Sequence, residues 1–125
     1  GVTCIAAHCA CGSYPGDRDY TDDLLNMFKE FPNLYGDNSA LCSLNRNKTI
    51  GKILDPEVQE RILHGSDYPV PLSGFGVYFK GYLPWKDWRK WKGCQNILEQ
   101  DYQFKKAMGF KEATFTRLSQ LLEIN

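Results

Sequence analysis

Three short apolar runs, each ending at a residue able to do chemistry, constrain this chain more than any other feature. Val2-Thr3-Cys4-Ile5-Ala6-Ala7-His8 comes first, Asn33-Leu34-Tyr35-Gly36-Asp37 second and Ile62-Leu63-His64-Gly65-Ser66-Asp67 third. Runs of this length read as strands, and the first as one buried on both faces, as in a parallel sheet. Helical stretches separate them. Thr21 is a good N-cap before Asp22 and Asp23, and Leu24, Phe28 and Phe31 then repeat at i, i+4, i+7 until Pro32 stops the helix. Residues 38–49 are polar and read as loop with a short helix. Asp55-Pro56-Glu57 supplies a cap, a first-turn proline and an acid, and opens a short helix ending near Glu60. Residues 71–93 read as an irregular, aromatic-rich insertion, and 94–125 as two closing helices. The first closing helix stops at Gly109; the second carries Phe115, Leu118 and Leu122 on one face. Strands alternating with helices predict an α/β fold with parallel strands and crossover helices, the whole of 1–125 forming one unit.

Composition narrows the partners. Lys plus Arg number 15 and Asp plus Glu number 15, so the net charge gives no reason to expect nucleic acid. No apolar run approaches the roughly 20 residues of a membrane span, so no membrane partner is expected. Five cysteines, an odd number without regular spacing, argue against a disulfide framework and for free thiols in a reducing cytoplasm. The chain starts at Gly1 and passes at once into strand, which predicts a longer polypeptide with an N-terminal part not included here.

Side chains alternate along a strand, so Cys4, Ala6 and His8 are expected on one face, and Leu63, Gly65 and Asp67 on another. His8 and Asp67 then meet at the C-terminal edge of a parallel sheet, where α/β folds build their sites. An imidazole and a carboxylate converging there can hold a divalent metal or act as base and acid.

Several segments bear a likeness to one family. Ala6-Ala7-His8-Cys9 resembles the sixth-strand segment of the amidohydrolase superfamily, in the branch of aminocarboxymuconate-semialdehyde decarboxylase. Phe31-Pro32-Asn33-Leu34-Tyr35-Gly36-Asp37-Asn38-Ser39 is similar to that branch's seventh strand. Ile62-Leu63-His64-Gly65-Ser66-Asp67-Tyr68-Pro69 is similar to its eighth, and residues 100–109 and 112–122 to its closing helices. The resemblance implies the C-terminal portion, about strands 6 to 8 plus closing helices, of a (β/α)8 (TIM) barrel. It implies a metal-dependent hydrolase in which Asp67 and His8 bind the metal and act in catalysis. The metal would be zinc first, with manganese or iron as alternatives. Its bound water, brought toward a pKa of about 7, would attack a C–N or C–O bond of a small carbonyl substrate. Non-oxidative decarboxylation on the same residues is the alternative chemistry. The family's first-strand and fifth-strand histidines have no counterpart here, and Cys9-Ala10-Cys11-Gly12 stands where a Gly-rich turn is common. Two ligands fall below the usual three, so this piece by itself is expected to bind metal weakly and not to turn over.

The remaining candidates carry a bland and a sharp reading. Asp37 either touches substrate or caps the next segment; Arg46 either clamps a carboxylate or forms a surface ion pair. Ser39 and His64 read as structural, His64 pointing away from the pocket beneath a helix. Cys4 reads as a small filler of the barrel interior, and a zinc site from His8, Cys9 and Cys11 fits no standard spacing. Trp85, Trp88 and Trp91, interleaved with Lys86, Arg89, Lys90 and Lys92, read first as indoles packed on the body or on a partner. An aromatic-basic binding module is the alternative. Three strands leave open edges, so the piece is also expected to pair with its N-terminal half or form a homodimer, as a non-catalytic self-associating fragment if it stands alone.

Overall fold

The computed structural model describes residues 1–123. Three parallel strands, β1 (Cys4–Ala6), β2 (Leu34–Asp37) and β3 (Ile62–Leu63), lie in the order β1-β2-β3. Cys4 stands opposite Leu34, Ala6 opposite Gly36, and Gly36 opposite Ile62. Seven α-helices follow among the described residues: α1 (Thr21–Met27), α2 (Ile50–Ile53), α3 (Pro56–Gln59), α4 (Gly74–Phe79), α5 (Trp85–Trp91), α6 (Ile97–Met108) and α7 (Glu112–Leu121). The final two residues assigned to the closing helices, 124 and 125, lie outside the described residues.

The expected (β/α)8 barrel portion is overturned. The chain is a small α/β domain around an open three-stranded parallel sheet. A barrel needs tilted strands whose hydrogen bonds return to the first one. Here the strands have 3, 4 and 2 residues, and β1 and β3 each pair on one side only. Alternation of strand and helix is shared by open sheets and barrels, so it predicts parallel pairing without deciding closure.

Local chemistry explains most boundaries. Asp55 caps α3, its Oδ1 accepting from the amides of Glu57 at 2.9 Å and Val58 at 3.3 Å. Asn96 caps α6 in the same way, and Gly109, at φ 106°, ends it in the left-handed conformation. Thr21 differs from expectation: it is the first helical residue, and its amide donates to Asp19 Oδ1 at 2.9 Å. Its buried hydroxyl donates to the carbonyl of Cys9 at 3.0 Å, tying α1 to the turn after β1.

Residues 71–93 are not irregular throughout; they include α4 and α5. The i, i+3, i+6 spacing of the tryptophans is helical, and Pro84 leads into the first turn. Gly74 is needed where α4 meets α6, since a Cβ there would lie 2.5 Å from the Phe104 ring. Leu24, Phe28, Ile50, Ile53, Ile62, Val77, Leu83, Phe104 and Phe110 form the core. Cys4 is exposed on the edge strand, so it fills no interior.

One charged pair is fully inside. Lys105 Nζ lies 2.6 Å from Asp101 Oδ2, one turn apart on α6, with both side chains buried. Lys105 also donates to the Gly65 carbonyl at 2.7 Å.

Candidate functional site

β1 ends at Ala6 and β3 at Leu63, so strand alternation does not place His8 or Asp67. Turns do. His8, Cys9 and Ala10 have φ of 54°, 49° and 57°, and Asp67 has 60°. Left-handed backbone at non-glycine residues costs roughly 1 kcal/mol or more each and persists only where surrounding contacts hold it. Those contacts are present. The His8 amide donates to Asp37 Oδ1 at 2.8 Å, the Cys9 thiol to the Asp37 carbonyl at 3.0 Å, and the Cys11 amide to the His8 carbonyl at 3.0 Å. Gly36 makes room for the turn, because a Cβ there would stand 2.8 Å from Cys9 Sγ. Burial drives the Cys9 thiol far above its ordinary pKa and pushes Cys42 up to about 12, so neither offers a thiolate at neutral pH.

Asp37, Ser39, His8 and Asp67 form one chain of polar contacts. The Ser39 hydroxyl donates to Asp37 Oδ1, which also accepts from the Ser39 amide at 3.1 Å. His8 Nδ1 lies 3.1 Å from the Ser39 carbonyl and 2.8 Å from Ser39 Oγ. A carbonyl only accepts, and the Ser39 proton is directed to Asp37. His8 Nδ1 therefore carries a hydrogen, and in the neutral ring Nε2 carries the lone pair. That lone pair faces Asp67 Oδ2 at 3.7 Å. Two acceptors facing each other call for something positive between them: a cation, or a proton on one of them.

A divalent ion fits the pair in part. The gap of 3.7 Å is shorter than two bonds of roughly 2.0–2.2 Å, so one ion reaches both donors. The Ser39 carbonyl on Nδ1 is the kind of outer contact that orients a ligating imidazole. The set is short by one: among the described residues no three His, Cys, Asp or Glu side chains converge as metal ligands. Water or a donor outside this chain would have to complete it.

The other sequence candidates sit around this pair. Asp37 uses Oδ1 to hold the turn, as a cap does. Arg46 donates from Nη1 to the Cys11 carbonyl at 2.6 Å and stands between two hollows, one lined by His8 and the other by Asp67. The hollow beside Asp67 has a volume of about 560 Å³, enough for a small molecule. His64 lies elsewhere, its ring 5.0 Å from Phe115 and 6.4 Å from Tyr102. Burial lowers its pKa to about 4, with the nearby Lys105 charge adding to the effect.

Ser39, read from the sequence as structural, is a positioning residue here, and Asn38 and Lys105 are two more whose roles strand and motif patterns miss. Asn38 Oδ1 accepts from the Gly65 amide at 3.2 Å while Lys105 holds the Gly65 carbonyl, clamping the peptide two residues before Asp67. The one advance sign is a charged pair, Asp101 and Lys105, four apart on an otherwise apolar helix face.

No family model, no curated protein and no solved structure matches this chain. The likeness to amidohydrolases therefore rests on the short segments around His8, Asp37 and Asp67 and on residues 100–109 and 112–122. No helix among the described residues is long and apolar enough to cross a membrane.

Proposed function

We propose that His8 and Asp67 form the reactive edge of a metal-dependent hydrolytic site of the amidohydrolase type. It would act on a C–N or C–O bond of a small carbonyl compound. The observation that carries this reading is His8 Nε2 facing the Asp67 carboxylate across 3.7 Å. The segment resemblance and the left-handed backbone at both residues support it. A divalent cation held by the pair would activate water and polarise the substrate carbonyl. Asp67 accepts the proton from the attacking water as oxygen bonds to the carbonyl carbon. It returns that proton to the leaving nitrogen or oxygen as the old bond breaks. Asp37 and Ser39 keep the His8 ring in one tautomer throughout, so the donor atom does not reorganise during the reaction.

The test begins with binding. Mn²⁺ is the suitable probe, because zinc would also seek the free thiols. Calorimetric titration should give weak one-site binding that disappears in both His8→Ala and Asp67→Ala. Equal heats from wild type and the double variant would sink the proposal. Hydrolysis of a panel of small amides and esters, with and without Mn²⁺, then asks whether the bound ion supports turnover.

A second reading has its own observation. β1 has an unpaired edge, with Ile5 on it and Val2, Met27 and Phe31 exposed nearby. An apolar hollow lined by Val2, Cys4, Met27, Phe31 and Leu34 adjoins it, away from His8 and Asp67. Such an edge supports a non-catalytic role in which two copies associate.

A further inference from the structure

The α4–α5 hairpin carries a patch used by neither the core nor the His8–Asp67 site. Fully buried Val77 and Leu83 anchor it to the body. Outside them, Phe75, Phe79 and Trp85 stand 53%, 80% and 49% exposed. The rings form one cluster: Phe75 lies 6.2 Å from Phe79 and 5.8 Å from Trp88, and Trp85 lies 4.9 Å from Trp88. Lys80, Lys86, Arg89, Lys90 and Lys92 lie in the same stretch of chain, all exposed, while Asp87 is the lone acid in it and is half-buried. A chain of zero net charge thus concentrates cations beside its largest exposed aromatic cluster.

We propose that this hairpin is a docking surface for an anionic lipid membrane, with Phe79 and Trp85 entering the headgroup boundary. Charge complementarity is the first reason, since basic side chains close to exposed aromatics are the chemistry that recognises anionic headgroups. The aliphatic stems of the lysines extend the apolar area while their ammonium groups stay in water. Ring geometry is the second reason, and it favours lipid over single-stranded nucleic acid. A base needs an open ring face to stack on. Here Tyr78 and Trp88 stack on each other at 5.8 Å and 19°, and Trp85 packs on both. Lys92 lies 4.5 Å over Trp88, and Lys90 lies 4.9 Å over Trp91. The Tyr78 and Trp88 faces are thus taken up by neighbouring rings and by Lys92, which suits an interface that asks for no stacking partner.

Co-sedimentation of the chain with phosphatidylcholine vesicles, with and without phosphatidylserine, tests the proposal. All three tryptophans lie in α5, so their emission reports on this hairpin. The chain should sediment with the phosphatidylserine vesicles, with a blue shift in emission, and stay free of the neutral ones. Binding should fall roughly fivefold for each cation reversed, so Lys86→Glu with Arg89→Glu should weaken it by more than tenfold. Phe79→Ser, at a ring outside the core, should weaken binding and reduce the blue shift with an unchanged circular dichroism spectrum. Absence of binding to phosphatidylserine vesicles overturns the proposal. So does binding to an oligothymidine in place of vesicles, which would make the patch a nucleic-acid surface.

Discussion

Ser39 holds His8 from two sides, with its carbonyl and its hydroxyl, and the hydroxyl also satisfies Asp37. Ser39→Ala keeps the carbonyl contact and removes the other two. Outer contacts of this kind are worth roughly 10- to 100-fold in metal affinity. Mn²⁺ binding by calorimetry should therefore weaken by at least the lower figure while the fold survives. His64 makes a separate prediction. Its folded pKa of about 4 lies below the ordinary 6.5, so the folded state holds the ring neutral. The unfolded chain binds the extra proton first as pH falls. Stability from this group is intact above pH 6.5 and is lost progressively down to about pH 4. The loss should be on the order of 1–2 kcal/mol, discounted because the ring keeps some solvent contact. Urea midpoints across that range should flatten in His64→Phe, whose ring fits the same aromatic neighbours.

Helix α6 is the element with most at stake. Its inner face combines Phe104, buried in the core, with the Lys105–Asp101 pair, and Lys105 reaches across to the Gly65 carbonyl, two residues before Asp67. Lys105→Met would leave Asp101 buried without its partner. Burial already raises the Asp101 pKa against the pull of Lys105, so the carboxylate depends on that neighbour. Breaking such a pair costs roughly 3–5 kcal/mol. The denaturant midpoint of Lys105→Met should fall accordingly, and adding Asp101→Leu should recover much of the loss. A Lys105→Met variant as stable as wild type would mean the pair does not hold the Gly65 peptide in solution.

At the scale of the molecule, the open sheet has a consequence that a closed one would lack. β1 is short and unpaired on one side, with Ile5 exposed on it. Sedimentation velocity over a concentration series should reveal self-association, and Ile5→Lys should suppress it by placing a charge on the edge. Unchanged association in that variant would locate the contact elsewhere. The sequence by itself determined the parallel α/β alternation, the cap at Asp55, the stop at Gly109 and the choice of His8 and Asp67 as the candidate pair. These are local: propensity, capping and short apolar runs act within a few residues. Tertiary structure alone decided that the sheet stays open, that residues 71–93 include two helices, and that His8 and Asp67 meet through left-handed turns. It also decided which ring nitrogen of His8 faces Asp67. Each of these depends on partners about 30 or 40 residues away, such as Ser39 on His8 and Lys105 on Gly65, and periodicity along a chain holds no record of which distant atoms will meet.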